Sequence, residues 1–176
     1  MTVRFFEDNR IRTVSNALDI AEDKTGDYYK FSNRQWKKHS YDVKTQLSLE
    51  DNEITSYAFA LLNKCALNLD NTDLKTKTRD FYFICLQDDQ ILKAMKRDSS
   101  LKLLPLLVYI LTHELVHIVR FCNFSQRFEI SGEDREDEEK LVHSTTYDIL
   151  KDVSILHMDY ILEAYRDHRI CDLAVS

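Results

Sequence analysis

Glycine and proline are nearly absent, with 2 Gly and 1 Pro in 176 residues, far below ordinary usage. That scarcity leaves little turn punctuation, no glycine-rich loop to cradle a phosphate and no flexible linker. A mostly helical chain follows, folded as one domain over residues 1–176 and long enough to bury a core without disulfides. Cysteine pairs are missing too: Cys65, Cys85, Cys122 and Cys171 are scattered, with no C-x-x-C, and no signal-peptide pattern opens the sequence. They read as free thiols in a reducing cytoplasm. No apolar run is long enough to cross a bilayer, since the longest, residues 103–111, leads straight into polar residues. No membrane partner is expected. Excess positive charge is also lacking. A net charge of −6 argues against nucleic acid as a main partner, because phosphate neutralisation dominates that affinity. Tyr28, Tyr29, Lys30, Phe31, Arg34, Trp36, Lys37, Lys38 and His39 interleave rings and cations, a pattern that suits base stacking but suits a partly packed surface segment better.

Periodicity divides the rest. Residues 1–6 allow a short strand; residues 10–22 repeat apolar groups at helical spacing, and the pattern breaks over 23–27 at Gly26. Residues 41–49 read as extended and residues 51–69, opening on acidic groups, as a second helix. Residues 71–77 form a polar connector. The run DFYFICLQ at 80–87 is aromatic, apolar on both faces and one strand long. A short helix over 90–95, capped by Asp88 or Asp89, precedes a long one over 103–124 with Pro105 near its first turn. A charged loop over 124–137, a helix over 138–150 and a last helix over 153–169 with a frayed tail complete the chain.

The long apolar helix carries the chemistry, in LLPLLVYILTHELVHIVRFCNF. His113 and His117 lie one turn apart on one face with Glu114 beside them, the H-E-x-x-H pattern in which two imidazoles converge on one zinc ion and the carboxylate serves as base. Chance would produce this pattern somewhere in such a chain with a probability on the order of one per cent. A helix that buries two imidazoles, a carboxylate and Arg120 without partners would be penalised for each, and a metal supplies partners. A catalytic zinc keeps one position for water, whose pKa it lowers towards neutrality.

Two histidines are too few, and Glu136, Glu139, Lys140 and His143 form a stripe at helical spacing further on. Together the two segments, residues 103–150, resemble the gluzincin class of zinc metallopeptidases, where H-E-x-x-H is followed by a ligand glutamate on a downstream helix; the compact minigluzincin type is closest in size. The resemblance implies His113, His117 and Glu139 as zinc ligands, Glu114 as general base and His143 as a supporting catalytic residue. Thermolysin-like members carry aspartate where this chain has His143, and asparagine where it has Glu138.

The expected molecule is therefore α+β and mostly helical, a compact zincin-like domain with a small sheet and a buried H-E-x-x-H helix. Its expected activity is zinc-dependent hydrolysis of a peptide or protein substrate in the cytoplasm, with an edge strand pairing to extended peptide. The rival is a non-catalytic metal-binding or partner-binding protein whose zinc ties helices together: four protein ligands favour it, and three plus water favour the enzyme. A ferritin-like di-iron site would need a second E-x-x-H on another helix, which the sequence lacks. His157, His168, Tyr147 and Tyr165 are further candidates to donate to an oxyanion.

Overall fold

The computed structural model describes residues 3–68, 78–123 and 132–165. Six helices, α1 (Asp8–Tyr29), α2 (Asn33–Trp36), α3 (Asp88–Arg97), α4 (Leu103–Asn123), α5 (Glu133–Leu150) and α6 (Met158–Ala164), accompany a three-stranded sheet of β1 (Tyr41–Lys44), β2 (Ala60–Asn68) and β3 (Thr78–Leu86). The class is α+β and mostly helical. In the sheet order β1-β3-β2, β3 is central, parallel to β1 and antiparallel to β2. Ile84 is the registration point, opposite Val43 on one side and Leu62 on the other.

Helix α4 is the spine. Every residue from Pro105 to Val119 is buried, so its apolar character belongs to a core element with neighbours all round. By length and composition it is also sufficient to cross a membrane, but most of it lies inside the protein. Helix α1 packs along it, α5 and α6 cover further sides, and β2 and β3 touch it more lightly. Ile84, Leu86, Ile91, Leu107, Leu111, Leu115, Ile118, Leu150 and Ile161 fill the common core.

Several elements differ from their sequence expectation. The helix expected over 51–69 is a short 3-10 turn at Asp51–Glu53 followed by β2. Two features override the helical propensity of ALLNKCAL. Strand β3 presents a free edge nine residues long, which β2 pairs in full register. The buried Gln87 amide holds the preceding segment extended, taking the Thr55 amide proton on Oε1 at 2.9 Å and donating from Nε2 to the Glu53 carbonyl at 2.8 Å. Helix α1 runs through the expected break at 23–27 because Gly26 is where Trp36 closes down: a Cβ there would stand 2.6 Å from the indole Nε1.

Residues 3–6 are not a strand; the Phe6 amide donates to Asp88 at 2.8 Å and its ring is buried. Asp88 takes the Gln46 amide as well, so it ties three segments together, and Gln87 stands at the N-cap of α3. The extended stretch at 41–49 is β1 for four residues and then a 3-10 turn, Gln46–Ser48. Helix α5 begins at Glu133, inside the expected loop, with Glu133, Asp134 and Glu136 in its first turn, where carboxylates complement the helix dipole. The last helix is shorter than expected, starting at Met158 after His157 adopts a left-handed backbone (φ 69°). The expected connector at 71–77, residues 124–131 of the expected loop and residues 166–169 of the expected last helix lie outside the described residues.

Candidate metal centre

Helix α4 supplies His113, Glu114 and His117, and α5 supplies Glu139 and His143. What fixes the two helices in register is an ion pair one residue from the site: Arg120 of α4 donates from Nε and Nη2 to the two oxygens of Glu138 at 2.6 and 2.9 Å. A two-point guanidinium–carboxylate contact fixes orientation as well as distance. It gives the half-buried Arg120 its partner and precedes Glu139, the residue that faces the histidines.

Glu139 spans both imidazoles. Its Oε2 lies 3.3 Å from His113 Nε2 and its Oε1 lies 3.1 Å from His117 Nε2. His113, Glu139 and His143 place their ligand atoms within 4.8 Å of one another; His117 joins the group through the other Glu139 oxygen. The clustered ligand atoms are thus those of His113, Glu139 and His143, whereas the expected ligand His117 meets only Glu139 and Glu114 follows His113 on α4. His113, Glu114, His117 and His143 are 0–4% exposed, and the Glu139 side chain is 18% exposed.

Hydrogen bonding does not account for this arrangement. Among the described residues, nine buried side-chain nitrogen or oxygen atoms lack a hydrogen-bond partner, and seven of them belong to His113, Glu114, His117 and Glu139. Unpaired buried polar atoms are rare and costly. Here they are concentrated at one point, where the imidazole and carboxylate groups of His113, Glu139 and His143 could hold a metal ion.

Without metal, the charges in the cluster act strongly on one another. Burial pushes the Glu114 carboxyl up to about 8, with the Glu139 charge adding and His117 opposing. Glu139 is also penalised by burial, but its contacts with His113 and His117 more than offset this and hold it well below the ordinary carboxylate range. The two histidines diverge. Burial dominates at His113 and lowers it, whereas at His117 burial is outweighed by Glu139, Glu114 and Glu138, and it is raised.

His143 turns its Nδ1 to the Tyr109 hydroxyl at 2.7 Å, while His113 Nε2 faces Glu139 Oε2 at 3.3 Å. Sequence reasoning overlooked Tyr109, although it stands one turn before His113 on the same face. Its ring stacks on the buried Tyr165 at 5.4 Å. A cleft of about 330 Å³ opens beside it, lined by His143, Ser144, Tyr147, Leu162 and Tyr165 among others. Tyr147 and Tyr165 thus stand near the centre. His157 sits at the start of α6 and His168 is outside the described residues.

The aromatic-basic segment mostly closes on itself: Phe31 stacks on Tyr29 and His39, and Trp36 meets Phe31 edge-on. His39 is buried, with Nδ1 at 3.0 Å from the Gln35 carbonyl. These rings are engaged in packing. The chain matches no family model, no curated protein and no solved structure, so the site's own geometry carries the functional reading.

Proposed function

We propose that the protein is a zinc-dependent hydrolase of peptide bonds, with His113, His117 and Glu139 holding the metal and Glu114 serving as general base. One observation carries this reading: Glu114 is buried beside two imidazoles that face a common carboxylate, and both its oxygens are unpartnered. A structural role would have given that carboxylate a donor. Zinc in such a donor set lowers the pKa of water and polarises a carbonyl. Glu114 accepts the proton of the attacking water and returns it to the leaving amine. Arg120 and Glu138 hold Glu139 in place from behind.

A second reading has its own support. The proximity of His143 to His113 and Glu139 suits a metal enclosed by four protein ligands, which would tie α4 to α5 without catalysis.

Two substitutions separate these readings. Purified protein should hold about one zinc per chain, and His113→Ala or His117→Ala should abolish binding. Glu114→Gln should keep the zinc and lose cleavage of a quenched-fluorescence peptide library. If the wild type binds zinc and cleaves nothing at any zinc load, the tethering role replaces the enzyme.

A further inference from the structure

The geometry points to His143 as a fourth protein donor to the metal, held ready by Tyr109, so that the resting centre carries three imidazoles and one carboxylate. This rests on the metal site proposed above and revises its ligand count. His143 is 4% exposed and stands with its ring centroid 4.5 Å from that of His113, and its ligand atom lies within 4.8 Å of those of His113 and Glu139. A histidine that only supported a ligand would engage the imidazole behind which it stands. Here that imidazole faces Glu139 through Nε2, at 3.3 Å, and His143 instead uses Nδ1 towards Tyr109, at 2.7 Å.

That contact selects the ligating atom. With Nδ1 engaged by the phenol, Nε2 is the nitrogen through which His143 reaches the metal, and the hydrogen bond then runs from Nδ1–H to the Tyr109 oxygen. Metal-bound histidines almost always fix their other ring nitrogen in this way. Tyr109 is itself fixed by the stacked Tyr165, so the imidazole is oriented by a chain of buried contacts from α6 through α4 to α5. The adjoining cleft borders His143. The enzyme reading then requires His143 to leave the metal when water or substrate enters. The tethering reading requires it to stay.

Zinc K-edge X-ray absorption on the zinc-loaded full-length chain counts the imidazoles directly and needs no activity. Three are expected in the wild type, falling to two in His143→Gln with zinc still bound. Tyr109→Phe should keep three but weaken zinc binding about 10- to 100-fold in a chelator competition, the usual effect of losing a partner behind a ligand. Two imidazoles in the wild type would overturn the inference and leave the three-ligand hydrolase standing. No zinc uptake at all would overturn both. Should His143→Gln fail to fold, the wild-type count and the Tyr109→Phe titration decide the matter. Unchanged affinity in Tyr109→Phe would remove Tyr109 from the centre.

Discussion

Glu114 is the residue whose burial has the clearest consequence outside catalysis. In metal-free protein its carboxyl is pushed up to about 8, so the folded state holds that proton more tightly than the unfolded chain does. Its contribution to stability is complete below the ordinary carboxylate value and is lost as pH rises towards about 8. Zinc-free wild type should therefore weaken between pH ~5 and ~8 relative to Glu114→Gln, by on the order of a few kcal/mol. Urea midpoints of both proteins at the two pH values test this, and parallel pH dependence would place the carboxyl in a wetter setting. Cys85 provides a second check. Burial, with the Glu53 charge beside it, pushes its thiol up to about 12, whereas Cys65 and Cys122 are exposed. Alkylation of the folded protein near pH 8 should label Cys65 and Cys122 and spare Cys85, because the thiolate is the nucleophile; mass spectrometry of the digest reads the outcome. At this scale the sequence was informative, since spacing placed His113, Glu114 and His117 on one helix and Glu139 and His143 on a stripe of another, and the gluzincin resemblance paired the two. Tyr109 escaped notice because a tyrosine in an apolar helix resembles ordinary core until its hydroxyl is seen to meet a nitrogen.

Elements were less visible. Residues 60–68 contain good helix formers and lack the alternation of a half-buried strand, and only their pairing with β3 makes them β2; that partner is distant information no local window carries. Helix α1 illustrates the converse, where a glycine that looked like a stop is an accommodation for Trp36. Gly26→Ala should gain about 1 kcal/mol of helix propensity but force the indole aside. Overpacking of this kind typically costs 1–3 kcal/mol, so net destabilisation is expected. The protein has one tryptophan, so a shift in its emission would report the displacement directly; unchanged emission with higher stability would mean that Trp36 yields freely. The Arg120–Glu138 pair is the other element-scale device. Glu138 is 5% exposed, and Arg120→Ala would strand its charge between α4 and α5. A cost of about 3 kcal/mol is expected, at the low end for a broken buried pair because the guanidinium is partly exposed. Zinc affinity should fall as well, since Glu139 would lose its anchor. A denaturant titration and a zinc titration on the same variant separate the two effects.

For the whole molecule, the centre lies where α4, the spine of the core, meets α5, so metal occupancy and folding should be one equilibrium. The poorly paired buried atoms of His113, Glu114, His117 and Glu139 are a local defect that the proposed zinc would relieve only when both helices are in place, since an unfolded chain does not present them together. Binding confined to the folded state stabilises by about 4 kcal/mol when free zinc is 1,000 times its Kd. At roughly 2–4 °C per kcal/mol for a chain of this size, zinc should raise Tm by about 8–16 °C over chelator-treated protein. The gain should be uneven. Helix α5 is held by its core residues Val142, Ile149 and Leu150, by the Arg120–Glu138 pair and by whatever metal the proposed site takes, whereas the sheet is held by its own ladder of nine paired positions between β2 and β3. Hydrogen exchange in chelator should therefore rise first in Glu133–Leu150, with Thr78–Leu86 keeping its protection. Equal loosening of both would show that the centre stabilises the fold globally. An unchanged Tm on adding zinc would mean that these facing side chains bind no metal, and their burial would need another partner.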